Sequence, residues 1–444
     1  MTRYALDAST RRFGSTVVCG SPLTLFRLSS AGVHAFARLA DGDDEGRSIL
    51  TDRLLEAGAI HPLPDRSDAR LDDVTVVVPA HRTVSSQLAA IVVGCRGVRR
   101  VIVVDDGSQP PIGALAGADV VRIERNAGPA AARNAGLAEA ATPFVAFVDV
   151  DVTVHAGWLE PLLAHFGDER VGLVAPRIVS RPTNDAIGRY ERRRSPLDLG
   201  DAPARVAAGT RVSYVPAAAL VVRTDAIREL GGFDVTMRFG EDVDAVWRMV
   251  DRGWQCRYEP AVRVEHEPRR SWGALIWQRI GYGSSAAALA RRHPGAVAPV
   301  RISGWTAAVW ALVALGRWRA ALLLGGGTAL ALVRKLPDVP ASASLRLAGL
   351  GHIHAGGLLA DAVRRVWWPV LLPLGAVSRR ARFVAAAAIV PALVDGGPSR
   401  LVDDVAYGVG VWRGVIAQRS PAALLPVLTP WPAGGRTRRY GRQT

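Results

Sequence analysis

The chain has 444 residues, enough for two or three domains and a sizeable core; 49% are hydrophobic and the net charge is +15. Its three cysteines, Cys19, Cys95 and Cys256, lie far apart, which excludes a disulfide framework and a cysteine zinc site and suits a reducing cytoplasm. The basic residues are spread along the chain without a recognition motif, so nucleic acid is set aside, and anionic small molecules and anionic lipid are the expected partners.

Residues 13–28 alternate like a β-hairpin that turns at Gly20-Ser21-Pro22. A helix follows through Leu39, capped by Ser29 or Ser30. Beyond the Gly/Asp-rich loop 41–46, a second helix runs through Ala57. Residues 1–64 are assigned to a small domain and 65–73 to a linker. Residues 1–12 are polar and charged, unlike a secretory signal, which points to a catalytic part facing the cytoplasm.

Residues 73–79, DVTVVVP, and 98–108, VRRVIVVDDGS, read as strands ending on a Pro and on two acids. Residues 124–137, ERNAGPAAARNAGL, read as a turn entering an Ala-rich helix. Residues 144–154, FVAFVDVDVTV, are an apolar strand that stops on Asp149 and Asp151. Alternating strands and helices predict a parallel α/β sheet. Ligands of such sheets sit beyond the carboxyl ends of the strands, where Asp105, Asp106, Asp149 and Asp151 all fall. Strand-end acids also serve as turn and helix caps. Two carboxylates two residues apart are expected to leave a strand side by side, an arrangement that invites Mg2+ or Mn2+ between them.

Residues 240–244, GEDVD, open a helical stretch closed by Gly253. Acids suit a helix start on electrostatic grounds alone. His266 ends the short run VRVEH and either completes a metal site or is a plain buried or exposed histidine. His165 reads as a surface helix residue. Trp158, Trp254 and Trp272 are either sugar-stacking platforms or core. Residues 301–444 form an apolar region whose stretches 304–316, 320–333, 366–377, 383–394 and 421–431 are interrupted by arginines and prolines. None reaches the ~18–20 residues of a clean spanning helix, so association with a membrane is expected and spanning is left open.

The ordered set P-A-H-R, V-D-D-G-S, R-N-A-G-P-A-A-A-R-N-A-G, D-V-D and G-G-F-D…G-E-D-V-D, over about residues 74–266, resembles a family 2 glycosyltransferase of the GT-A fold. The resemblance implies an inverting enzyme that uses a nucleoside-diphosphate sugar and a divalent metal, with a catalytic domain over residues 74–300. It implies a nucleotide-sugar site at Pro79, Ala80, His81, Asp105, Asp106, Asn126, Gly128, Arg133 and Asp149. Metal ligands would be Asp151, Asp149 and His266, the general base Asp242, and Glu241 its neighbour. His81 stands where Tyr or Asn is more usual. The chemistry asks for the same groups: a cation to absorb charge on the leaving diphosphate, and a carboxylate to take the acceptor proton. The N-terminal pattern F-R-L-S-S-A-G…L-A-D-G…L-L-E-A-G-A-I is similar to small winged-helix domains that capture precursor peptides by strand addition. Together the parts resemble transferases that build a short β-linked glucose chain on a peptide-derived redox cofactor, with UDP-glucose as donor. A lipid or cell-wall acceptor is the alternative, and a silent peptide-binding scaffold the third reading.

Overall fold

The computed structural model describes residues 3–42, 47–64 and 67–429. Most of the loop 41–46, two linker residues and the end of the 421–431 stretch lie outside the described residues. The first unit pairs β1 (Arg3–Leu6) antiparallel with β5 (Ile60–Leu63) and forms a second sheet from β2 (Arg11–Phe13), β3 (Thr16–Cys19) and β4 (Thr24–Arg27). Helices α1 (Ser30–Asp41) and α2 (Ile49–Ala57) lie between them in the chain. Ser29 caps α1 through its side chain, while Ser48 and Thr51 form a reciprocal capping box on α2. Val17, Phe36, Leu39, Leu54 and Ile60 close its core.

A nine-stranded mixed sheet follows. Its first half is parallel: β6 (Val74–Ala80), β7 (Arg100–Asp106), β8 (Asp119–Ile123) and β9 (Phe144–Val148), with α3 (Ser85–Gly94) and α4 (Pro129–Glu139) as crossovers. Every residue of β9 is buried, as expected of an unbroken apolar run in a strand covered on both faces. The second half comprises β10 (Val152–Thr153), α5 (Glu160–Ala164), β11 (Val171–Ser180), α6 (Ala186–Arg194), β12 (Ala204–Val206), β13 (Ala219–Arg223), α7 (Thr224–Glu229), α8 (Glu241–Asp251) and β14 (Gln255–His266). Strand β13 runs antiparallel between β9 and β11. The order β10-β14-β11-β13-β9-β6-β7-β8 brings the ends of β9 and β14 to one side. Pairing of Val152 with His266 sets the turn after β9 beside the end of β14.

The rest is largely helical. Helices α9 (Trp272–Ser284) and α10 (Ala286–Arg292) leave the sheet, β15 (Arg301–Ser303) pairs with β16 (Val427–Thr429), and α11 (Gly304–Ala314) to α15 (Arg379–Gln418) lie between those two strands. The intervening helices are α12 (Trp318–Lys335), α13 (Ala341–Ala362) and α14 (Trp368–Val377). Helix α15 breaks at Gly397 (φ 65°, ψ −161°), next to Pro398. Leu332, Leu336, Val339 and Ala348 pack on Val18, Phe13 and Leu25, so the first unit is held by this region as well. Arg170 pairs with Asp52 at 2.7 Å and Arg211 with Asp7 at 2.6 Å, fixing the same unit to the large sheet.

Candidate active site

Strand β9 ends at Val148, and the backbone turns at once, with Val152 N–H donating to the Asp149 carbonyl at 3.0 Å. The turn sends the two acids to different partners. Asp149 faces α4, where Arg133 Nη2 donates to its Oδ1 at 2.7 Å. Asp151 faces β14, where His266 Nε2 and Arg269 Nη2 each stand 3.1 Å from its Oδ2. Two acids expected side by side therefore form two separate charge clusters on one cavity wall.

Arg133 is the buried centre of the first cluster. Its Nη1 donates to Glu241 Oε1 at 2.8 Å, and its guanidinium lies 5.6 Å from the Phe233 ring centre. Glu241 opens α8, whose cap Gly240 adopts φ 78°, the left-handed region that glycine takes without strain. Burial, then the neighbouring Asp242 charge, push the Glu241 carboxyl up to about 7 against the pull of Arg133. Burial also raises Asp149, with Arg133 opposing it and Asp151 adding to it. Asp151 goes the other way: burial opposes ionisation, but the His266 hydrogen bond and the Arg269 charge outweigh it.

Asp242 is aimed by backbone. Ala217 N–H donates to its Oδ2 at 3.2 Å and Val243 N–H to its Oδ1 at 2.8 Å. Asp244 is structural, held by Arg248 at 2.7 Å and His293 at 3.0 Å. Arg133, Asp149, Asp151, Glu241, Asp242 and His266 all border one cavity of about 1580 Å³.

The remaining sequence-marked residues sit apart, at the ends of β6 and β7. Pro79 and Ala80 end β6, and Ala80 pairs with Asp105. His81 Nδ1 lies 2.7 Å from the Asp106 carbonyl. Asp105 is fully buried and accepts from Ser108 N–H at 2.9 Å, from Ile112 N–H at 3.1 Å and from Arg122. Asp106 receives Ala127 N–H at 2.7 Å and Gly128 N–H at 2.8 Å, which shapes the loop into α4, and Asn126 donates to its carbonyl. None of these seven borders the main cavity.

Several lining groups carried no signal in the sequence. Tyr214 is one of them and lies in the field of Asp242. Arg365, Arg400, Asp403 and Tyr407 reach the cavity from the C-terminal helices. Asp403 binds Arg279 Nε at 2.8 Å and the Tyr190 hydroxyl at 2.7 Å. Trp158 is buried, Trp254 packs against the sheet core and Trp272 stacks near Tyr190, whereas Trp277 is 68% exposed on the cavity rim.

The fold is of the GT-A type, and residues 75–231 match the family model Glycosyl transferase family 2. The chain belongs to that family and is a glycosyltransferase. It is 42% identical to the pre-mycofactocin glycosyltransferase of Mycobacterium tuberculosis (strain ATCC 25618 / H37Rv), over 93% of this chain and 94% of that protein. It is also 30% identical to the succinoglycan biosynthesis protein ExoA of Rhizobium meliloti (strain 1021), over 28% of this chain and 41% of that one. Among solved structures, the mannosyltransferase PcManGT from Pyrobaculum calidifontis in complex with GDP-Man and Mn2+ aligns over 80% of this chain and 90% of its own, at 16% identity and a TM-score of 0.46.

Proposed function

We propose that the protein transfers glucose from UDP-glucose to pre-mycofactocin, a peptide-derived redox-cofactor precursor, with inversion at the anomeric carbon, and then extends the product as a β-linked chain. The observation that carries this is Asp242, fixed by two backbone N–H groups on the same cavity as the Arg133 and Asp151 clusters. The near-full-length relative supports the acceptor. Both hydrogen bonds fix the orientation of the carboxylate that would take the acceptor proton. In the transfer, the acceptor oxygen attacks the anomeric carbon, the bond to the diphosphate breaks, and the hydroxyl proton passes to Asp242.

Arg133 holds Asp149 and Glu241 in place while the donor binds. Asp151 and His266 suit a divalent cation: one hard oxygen and one imidazole nitrogen face each other on the cavity, and the diphosphate can fill the remaining positions. Mn2+ tolerates that mixed donor set better than Mg2+ does. When bound, the cation would draw off the charge that grows on the leaving diphosphate.

We place the enzyme on the cytoplasmic face of an anionic membrane. The exposed Trp305, Trp318, Leu323, Phe383 and Val394, with Arg317, Arg319, Arg379 and Arg380 among them, support that location. The first unit is proposed to capture peptide on the edge strand β4, which among the described residues pairs only with β3. The same exposed apolar faces favour a lipid acceptor as the second reading; deleting the first unit should then spare transfer.

The test is a donor panel. Full-length protein is incubated with Mn2+ or Mg2+, separate UDP- and GDP-sugars, and pre-mycofactocin, with released nucleoside diphosphate as readout. Acceptor-dependent UDP release from UDP-glucose, abolished by EDTA, is the expected result. Asp242→Asn should retain donor binding and lose about 10²-fold or more in rate. Turnover confined to another donor discards glucose, and a near-normal Asp242→Asn moves the base to Glu241.

A further inference from the structure

Between α13 and α14 the chain makes one π-helical turn, Val363–Trp367. Such single turns inside helical stretches are rare and occur frequently at functional sites. This one carries two consecutive arginines with different surroundings. Arg364 is consumed by structure: its Nε donates to Asp404 at 2.9 Å, and its other nitrogens reach Asp361 and the Ala388 carbonyl. Arg365 borders the catalytic cavity instead, with its guanidinium 4.3 Å from the Tyr407 ring centre.

The Nε of Arg365 is buried and has no hydrogen-bond partner, while the side chain as a whole is 42% exposed and borders the cavity. Its nearest carboxylate oxygen, on Asp404, is 3.7 Å away, and that carboxylate is already held by Arg364. Arginine has five N–H donors and no acceptor, and a buried donor left unpaired costs about 1–3 kcal/mol. The position is fixed from behind: a Cβ on Gly408 would meet the Arg365 carbonyl oxygen at 2.6 Å, so α15 presses directly on the π turn. Tyr214 lies within electrostatic reach of both Asp242 and Arg365, and all three border the same cavity.

We propose that Arg365 is a specificity-determining residue of the acceptor site, donating to a carbonyl or carboxylate oxygen of the acceptor beside the Tyr407 ring. The charge around it selects that class. Asp403 and Asp404 share the wall with Arg365 and Arg400, which disfavours a phosphate dianion and suits a neutral carbonyl or a single carboxylate. The inference rests on the peptide-derived acceptor proposed above, because such a compound carries these oxygens and a bare glucan does not. It also gives the C-terminal region a part in choosing the substrate.

The test uses the full chain with UDP present and N-acetyl-phenylalaninamide as probe, an aromatic ring flanked by amide carbonyls. Binding is measured by calorimetry for the native protein, Arg365→Gln and Arg365→Lys. Native protein should bind, and both variants should bind about tenfold more weakly, since lysine keeps the charge but lacks the fork of donors. UDP affinity should be unchanged, which shows that the variants remain folded. Equal probe binding by native and Arg365→Lys protein, or no binding by the native protein, overturns the proposal. Turnover of pre-mycofactocin is followed in parallel. Turnover with equal probe binding removes the role of Arg365 alone; Arg365-dependent probe binding without turnover removes the acceptor identity alone.

Discussion

Glu241 and Asp149 share one buried cation, and one guanidinium cannot fully compensate three nearby carboxylates once Asp242 is counted. The strain appears as a proton held on Glu241 up to about pH 7. Its folded pKa lies above the ordinary value of 4.5, so the folded state binds this proton more tightly than the unfolded state. That contribution to stability is complete below about pH 4.5 and is lost as the pH rises through 7. Native protein should therefore lose stability relative to Glu241→Gln between about pH 5 and 8, on the order of 2–3 kcal/mol. Thermal unfolding of both proteins across that range is the measurement, and parallel curves would sink the idea. At this scale the sequence marked acids, together with Arg133 and His266, that the fold brings onto one cavity, but not which of them pairs with which. Asp149, Asp151 and Asp242 were legible because strand ends and helix starts concentrate such groups. The split of Asp149 from Asp151 was not, because it depends on a turn that begins one residue after Val148. His165 reads as a surface residue yet is buried against Glu259 at 3.1 Å, a partner 94 residues away that no local pattern reveals.

Helices α8 and α15 show how far element-level reading reaches. Helix α8 announces itself through a glycine, acids in its first turn and a closing glycine, all local signals. Helix α15 also has an apolar pattern, but its task depends on which surface it meets. Its second half lies along α9 so closely that a Cβ on Gly410 would stand 2.1 Å from the Ile280 carbonyl oxygen. Backbone cannot yield there as a flexible side chain would, so the two helices must separate. Gly410→Ala should cost about 1–3 kcal/mol despite the better helix propensity of alanine. Transfer activity should fall with it, because α9 carries Arg279 and Tyr282 on the cavity wall. Gly349→Ala is the control: in α13 its Cβ would meet open space, so the change should be neutral or stabilising by up to ~1 kcal/mol. Equal melting shifts for the two variants would show that the α9–α15 contact is looser than described. That contact also explains why prolines alone misjudge the region: Pro391 stays within α15, and the break comes at Gly397.

At the scale of the whole molecule the first unit is pinned to the sheet by Arg170 and Arg211 and packs on α12 and α13, while α11 to α15 leave Leu322, Leu323, Trp318, Val377, Phe383 and Val394 largely exposed. Among the described residues one helix, Arg379–Gln418, is long and apolar enough to cross a membrane by length and composition. The half after Gly397 packs on α9 and the cavity, whereas the half before it leaves Phe383, Val390 and Val394 exposed. Composition foretold an apolar, arginine-rich region but not its division into buried and exposed faces, which depends on tertiary packing rather than on period. Exposed apolar side chains with arginines among them suit a helix layer lying in the headgroup zone, and each basic residue near an anionic surface adds about 1 kcal/mol. The protein should therefore float with vesicles containing anionic lipid and bind neutral vesicles more weakly. Raising the salt to about 0.5 M should reduce the difference between the two lipids while leaving the apolar part of the binding. Leu323→Glu combined with Phe383→Glu should release the protein from both, with nucleotide binding kept because neither residue borders the cavity. Retention of the double variant on vesicles would shift the contact to another face, and absence of flotation with any lipid would leave the exposed helices as a surface for a protein partner.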